Sequence, residues 1–270
     1  MQIILDAVYN HSTEKYKDID YYGKNKHIKV NLVISYLKET NELLIQIEDI
    51  TKEAQLELKR HDSSVFFILA VSGLCVWIFL YAIWDQLGRN VSFALMSDGL
   101  VALSFIIFLI YYHNTSLTLE DIGISKKHLF KYCAIDTLIG IGGFLLLMLI
   151  KYLMIKMGYY PSDSKVVDFS LFSFNEVIYI VMVFLQELIA RGLAYGGMER
   201  LIDGKHSKGL AIIVSSLFFG ALHVHGGLIY MFGAGIMLGL LGLVYIRQKN
   251  IWGLCIAHYI LGIGLVLIAF

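Results

Sequence analysis

From Val65 to the C-terminus the chain is a succession of apolar runs, most of them near the length of roughly 20 residues that a helix needs to cross a bilayer. Such runs leave few folds open. Backbone N–H and C=O groups in lipid find no water, so each run must satisfy its own hydrogen bonds as a helix. The runs fall at Val65–Trp84, Val91–Tyr112, Leu129–Ile155, Phe172–Met198, Leu210–His223, Leu228–Tyr245 and Ile251–Phe270, and the fifth is short. The expected fold is an all-α polytopic membrane bundle of about seven transmembrane helices over residues 65–270, in a cell membrane, with the lipid bilayer as its first partner. Composition agrees, with 57% hydrophobic and only 16% charged residues and a mean hydropathy of +0.67, where a soluble domain is about a quarter charged. The formal net charge of +0 argues against nucleic acid as a partner. Cys75, Cys133 and Cys255 all lie inside apolar runs without metal-ligand spacing, and are read as packing residues.

Basic residues set the expected orientation. Lys126, Lys127 and Lys131 follow the second run, Arg200, Lys205 and Lys208 the fourth, and Arg247 with Lys249 the sixth. The alternate connections are poorer: one holds Arg89 alone, 158–168 holds Lys165 against Asp163 and Asp168, although Lys151 and Lys156 sit near that end, and 223–227 holds no Lys or Arg. Positive-inside counting places the N-terminus in the cytoplasm and the C-terminus outside. The polar stretch from Met1 to about Ser64 has no signal-peptide pattern, so the first apolar run is expected as an uncleaved span.

Before Val65 the pattern changes. Gly23–Lys26 reads as a turn, His27–Tyr36 as a β-branched strand, Lys38–Asn41 as a second turn and Glu42–Ile50 as another strand. Thr51 is expected to cap a charged helix, Lys52–Arg60. This order, closing in Asp49-Ile50-Thr51, resembles the C-terminal half of a PAS sensor domain over roughly residues 18–60. The resemblance implies a small α+β cytoplasmic segment over residues 1–60 that lacks most of the N-terminal half of its pocket. Either the chain starts at an internal Met or the module is degenerate, and no ligand is assigned to it. A plain β-meander is the alternative.

The fourth run contains Gln186, Glu187 and Arg191. Ionised groups at mid-bilayer are costly, about 2.5–3.5 kcal/mol each on insertion scales, and persist where they face the bundle interior and find partners. Glu187 and Arg191 stand at i and i+4 and can pair on one helix face, which by itself would do no more than fix helix packing. Phe219 and His223 share a face of the fifth run in the same way, and His258 lies inside the last. A carboxylate, a guanidinium and two imidazoles from different spans would make a site able to activate water, or to bind a metal through the imidazoles. His225 completes a His-x-His pair with His223, but the adjoining Gly226-Gly227 favours a solvent-facing turn over a chelate, and Lys205-His206 reads as a solvated loop. Glycines at 233, 235, 239, 242, 262 and 264 imply close helix packing, with Gly235-x-x-x-Gly239 as the clearest case.

These residues carry a resemblance to a known family. Gln186-Glu187-Leu188-Ile189-Ala190-Arg191-Gly192 resembles the E-E-x-x-x-R-G motif of the CPBP family, the type II CAAX prenyl endopeptidases and bacteriocin-immunity (Abi) membrane proteins. Phe219–His223 is similar to its F-x-x-x-H motif, His258–Gly262 stands where H-x-x-x-N or H-x-x-x-D belongs, and Leu119–Ile124 looks like the family's lead-in. The resemblance spans about residues 90–270. It implies an intramembrane metalloprotease-like protein, with Gln186, Glu187, Arg191, His223 and His258 as the catalytic set and Phe219 and Gly262 as motif positions. His223 and His258 would be the ligands of any divalent metal such as zinc. Two positions depart from the pattern. Gln186 replaces the glutamate that activates water, and an amide accepts no proton at neutral pH; Gly262 replaces the Asn or Asp that helps hold the oxyanion. Glu187, or a water held by Gln186, is expected as base, with the histidines polarising.

Two functions follow: an endopeptidase acting on a peptide or membrane-protein substrate within the bilayer, or a catalytically inactive member serving as scaffold or regulator of a membrane partner. A transporter is disfavoured, because, apart from Asp98 and Asp136, the clearest buried acids sit in or beside one motif, with Glu176 near a helix start. The family pattern and the Lys/Ile-rich composition suggest a bacterial chain.

Overall fold

The computed structural model describes residues 13–22, 27–88, 92–202 and 204–269. The chain divides into two compact units, Met1–His61 and Asp62–Phe270.

In the first unit three antiparallel strands run in the order β1 (Thr13–Tyr22), β2 (His27–Leu37) and β3 (Glu42–Asp49). The last two are the strands expected from β-branched patterning. β1 was missed, because its alternation is broken where the register shifts between Tyr16 and Ile19, with Asp18 at φ 55°. The expected turn at Gly23–Lys26 and Arg89 lie outside the described residues. β2 supplies the buried side chains Val30 and Ile34, whereas β3 leaves Leu44 and Ile47 exposed. Thr51 does not cap a short helix. Its hydroxyl accepts from Lys29 N–H (3.0 Å), while Asp49 Oδ1 accepts both the Thr51 N–H (3.0 Å) and the Thr51 hydroxyl.

Helix α1 then runs unbroken from Thr51 to Gln86, so the charged helix and the first apolar run form one element of 36 residues. The second unit continues with α2 (Phe93–His113), α3 (Leu129–Lys156), α4 (Phe174–Leu188), a π-helical segment Ile189–Tyr195, α5 (Gly196–Leu201), α6 (Ser207–Leu222), α7 (Leu228–Gln248) and α8 (Ile251–Ile268). Among the described residues, six helices are long and apolar enough to cross a membrane, and α6, at 16 residues, is a shorter apolar seventh. Exposed apolar side chains such as Leu138 at 70% and Leu217 at 69% cover the outer faces. That inversion of the soluble rule suits lipid as solvent.

The interior is built around α8, where Ile251, Leu254 and Ala257 are fully buried. A Cβ at Gly140 of α3 would stand 3.0 Å from Ala257 Cα, so the α3 and α8 backbones nearly touch. Gly235 of α7 would place a Cβ 3.1 Å from the Ser216 carbonyl of α6, and Gly239 one 3.2 Å from Ser216 Oγ. The small-residue spacing of α7 is therefore a helix–helix contact, in which close approach replaces a hydrophobic drive that lipid does not supply.

Polar ties hold one end of this unit. Asp62, 1% exposed, accepts from Ser116 N–H (3.3 Å) and hydroxyl and pairs with Arg200 Nε at 3.7 Å. Arg200 also faces Asp121 at 3.8 Å, and Lys249 bonds Glu199 at 2.9 Å. Gly123, at φ 83°, turns the loop before α3 so closely over Ile251 and Tyr245 that a Cβ would meet both at 2.8 Å.

Candidate active site

Helix α4 begins with a capping box, Ser173 accepting from Asn175 N–H (3.2 Å) and Glu176 accepting from Ser173 N–H (2.6 Å). Glu176 is therefore a capping carboxylate. One helix further on the backbone changes from i→i+4 to i→i+5 bonding over Ile189–Tyr195, and all seven residues of that segment are buried. Short π segments are rare and recur at functional sites; this one carries Arg191. At Gly192, which follows it, a Cβ would lie 2.6 Å from Phe108 Cε2 and 3.0 Å from Ile122 Cγ2, so a larger residue would push side chains of α2 and the loop before α3 off the segment.

Glu187, with no exposed surface, is the hub. Its Oε2 accepts from Arg191 Nε at 2.9 Å, and its Oε1 bonds His258 Nδ1 of α8 at 2.8 Å. Arg191 extends towards the Leu238 carbonyl (3.5 Å) and over the Tyr245 ring, its carbon 5.6 Å from the centroid. Gly242 opens the room for it, since a Cβ there would sit 3.4 Å from Arg191 Nη1. Arg191 Nη2 is buried without a hydrogen bond among the described residues.

His223 closes α6 on the same side of the chemistry. Its Nδ1 lies 2.7 Å from the Phe219 carbonyl, and the two rings meet at a tilt of 39° with centroids 4.4 Å apart. A carbonyl only accepts, so Nδ1 carries the proton and Nε2 keeps its lone pair. The same logic holds for His258, whose Nδ1 faces a carboxylate. In the neutral form of each ring the proton therefore sits on Nδ1, and no hydrogen bond reaches either Nε2 among the described residues. His223 and His258 lie within electrostatic reach of each other.

The expectation that Glu187 itself takes a proton meets a carboxylate with both oxygens engaged. What the arrangement can do is orient His258 and offset a positive charge that forms on it, the part an aspartate plays beside a histidine base. Gln186 is half-buried and makes no side-chain hydrogen bond among the described residues. Catalytic zinc takes three protein ligands. His223 and His258 offer two, and among the described residues no group of three His, Cys, Asp or Glu side chains could hold a metal ion.

His225 is not in a solvent-facing turn. It sits in a 3₁₀ turn, Val224–Gly226, only 6% exposed, edge-on to Trp77 of α1. Its Nδ1 faces the Leu222 carbonyl at 3.2 Å, and its Nε2 accepts from Ser97 of α2 at 2.9 Å. His206 and Lys205 are exposed, as expected. Asp98 is exposed rather than buried, and Asp136 is buried away from Glu187's bonds, accepting from Gln248 at 2.8 Å.

One residue escaped the sequence reading. Tyr179, on α4, lies against Gly262: a Cβ built there would fall 2.6 Å from Tyr179 Cε1 and 2.7 Å from its phenolic oxygen. Tyr179 also stacks on Tyr259, ring centroids 6.2 Å apart, and lies within electrostatic reach of Glu187 and Tyr230. The available signal was spacing, since Tyr179 precedes Gln186 by two helical turns and shares its face.

No curated protein matches the chain, and no solved structure does. A family model does. Residues 169–263, the stretch that holds Gln186, Glu187, Arg191, Phe219, His223, His258 and Gly262, match the Rce1-like family of type II CAAX prenyl endopeptidases.

Proposed function

We propose that this chain is an intramembrane endopeptidase of the CAAX prenyl type, in which His258 rather than a glutamate takes the proton from the attacking water. The contact between Glu187 Oε1 and His258 Nδ1, at 2.8 Å, carries this reading. It leaves Nε2 as a basic nitrogen inside a dry bundle, with a buried carboxylate behind it to offset the imidazolium formed when a proton is accepted. The water oxygen then bonds to the scissile carbonyl carbon as its proton passes to His258 Nε2. Collapse of the adduct breaks the C–N bond, and the same nitrogen returns the proton to the leaving amine. His223 Nε2 is the second group able to bond the water. Arg191 pairs with Glu187 and holds it in place. The substrate is a peptide whose prenyl chain lies in the surrounding lipid, and the orientation is with the N-terminus in the cytoplasm, on the count of basic loops.

The test is cleavage of a farnesylated CAAX peptide by the full chain in proteoliposomes. Wild type is expected to cleave it, with kcat falling at least about 100-fold in His258→Ala. Unchanged cleavage by that variant would overturn the assignment. A second reading, a catalytically inactive scaffold or regulator, is favoured by Gln186 and by the saturation of Glu187. It predicts no cleavage by wild type, capture of a stable membrane partner, and an unchanged phenotype in Gln186→Glu.

A further inference from the structure

We infer that Tyr179 is a catalytic residue of this site: its phenolic hydroxyl donates to the oxygen of the scissile carbonyl as negative charge develops there. The inference rests on the endopeptidase reading and adds the oxyanion-binding group that reading lacks. Three observations meet at this residue. Gly262 is one turn beyond His258 on α8, at i+4, so the two share a helix face. The Tyr179 hydroxyl occupies the space a side chain at position 262 would fill, 2.7 Å from the built Cβ. It has no hydrogen-bond partner among the described residues, although Tyr259, the ring it stacks on, has one: Tyr259 donates to the Glu176 carbonyl at 3.1 Å. A tyrosine turned into a helix bundle usually finds an acceptor for its hydroxyl. Here the donor is left over against Gly262, one turn along α8 from the imidazole whose Nε2 is also unengaged.

The two free groups are complementary. Nε2 of His258 accepts a proton from water while the Tyr179 O–H donates a hydrogen bond to the carbonyl oxygen. As the new C–O bond forms, the carbonyl π electrons move onto that oxygen, which the phenol stabilises without losing its own proton. When the adduct collapses, the electrons return and the C–N bond breaks, with the amine protonated from His258. A donor held ready in a water-poor site contributes mainly to the transition state, because the carbonyl oxygen accepts more strongly as it becomes an oxyanion. Glycine at 262 is then required, since any Cβ would push the ring off its place.

The experiment is Tyr179→Phe in the full chain in proteoliposomes, assayed on a farnesylated CAAX peptide. The expected result is a fall in kcat of about 100- to 1000-fold with KM within about 2-fold, and an unchanged melting temperature, because the ring and its stacking on Tyr259 are kept. A peptidyl ketone carrying the same prenyl group, whose hydrate resembles the tetrahedral adduct, is expected to bind Tyr179→Phe at least about 10-fold more weakly, while the uncleaved peptide amide binds both proteins alike. Gly262→Ala is expected to lower kcat in the wild-type background and to add little to Tyr179→Phe, since both act on one hydroxyl. If wild type cleaves and Tyr179→Phe retains kcat and ketone affinity, this inference is wrong and the endopeptidase reading stands. If wild type neither cleaves the peptide nor prefers the ketone to the amide, both are wrong.

Discussion

Replacing Glu187 by glutamine probes the hub with the least change of shape. The carboxylate accepts from two donors, Arg191 Nε at 2.9 Å and His258 Nδ1 at 2.8 Å. An amide has one accepting oxygen and one NH₂ donor: with its oxygen on Arg191, its NH₂ faces His258 Nδ1, which can accept it only by moving the ring proton to Nε2. Arg191, 1% exposed, is also left charged without a counter-ion. Breaking a buried pair by removing one partner costs about 3–5 kcal/mol. At about 2–4 °C per kcal/mol for a domain of this size, the melting temperature should drop by about 10 °C. Thermal unfolding of the full chain in a mild detergent measures this. Arg191→Met should be comparably destabilised, because it strands Glu187 instead, and the double variant Glu187→Gln/Arg191→Met should lose much less than the sum of the two. The reasoning fails if Glu187→Gln melts within about 2 °C of wild type, or if the two losses simply add, since either result means that the pair is wet or uncoupled.

Three further outcomes follow from the geometry. Gly192→Ala forces a methyl to 2.6 Å from Phe108 Cε2 and should cost about 1–3 kcal/mol by overpacking, read as a lower melting temperature. Asp62→Ala leaves Ser116 N–H and Arg200 without their shared acceptor and should cost about 1.5–3 kcal/mol in the same assay, with no change in peptide affinity. Burial alone would raise the Asp121 carboxyl, but the Thr118 N–H and hydroxyl, then Arg200 and Lys249, outweigh it and hold the group below its ordinary 3.8. Since the folded value is the lower one, its stabilisation is present above the ordinary value and is lost as pH falls through the folded one. Wild type should out-melt Asp121→Asn near neutral pH, with the gap closing as the pH falls below 3.8.

The bundle was legible because lipid imposes a length on every crossing and forbids unpaired backbone, so runs such as Leu129–Ile155 point directly to a helix. α6 was short in the sequence and is short in the structure for the same reason. Boundaries were harder. A polar helix continued by an apolar one, as in Thr51–Gln86, looks like two elements when hydropathy is the signal, although nothing breaks the backbone hydrogen bonds. At the site, Glu187–Arg191 was visible as an i, i+4 pair. Its bond to His258 was not, because 71 residues separate them and spacing says nothing about which faces meet. The π segment had no signature in residue type, nor did the burial of His225, whose neighbouring glycines point to a turn but do not say what packs over it. Tyr179 was hidden most completely, since its place is defined by a side chain that position 262 lacks.

The pairing of Glu187 with Arg191 also bears on how this protein is made. A helix bearing both a carboxylate and a guanidinium enters the bilayer before the last span has been synthesised, so His258 is not yet there to help. Each charge alone would add about 2.5–3.5 kcal/mol to the insertion of that segment. Held four residues apart on one helix, the two neutralise each other at the moment of entry. The pair therefore lowers the cost of inserting that segment, whatever the later contribution of the imidazole.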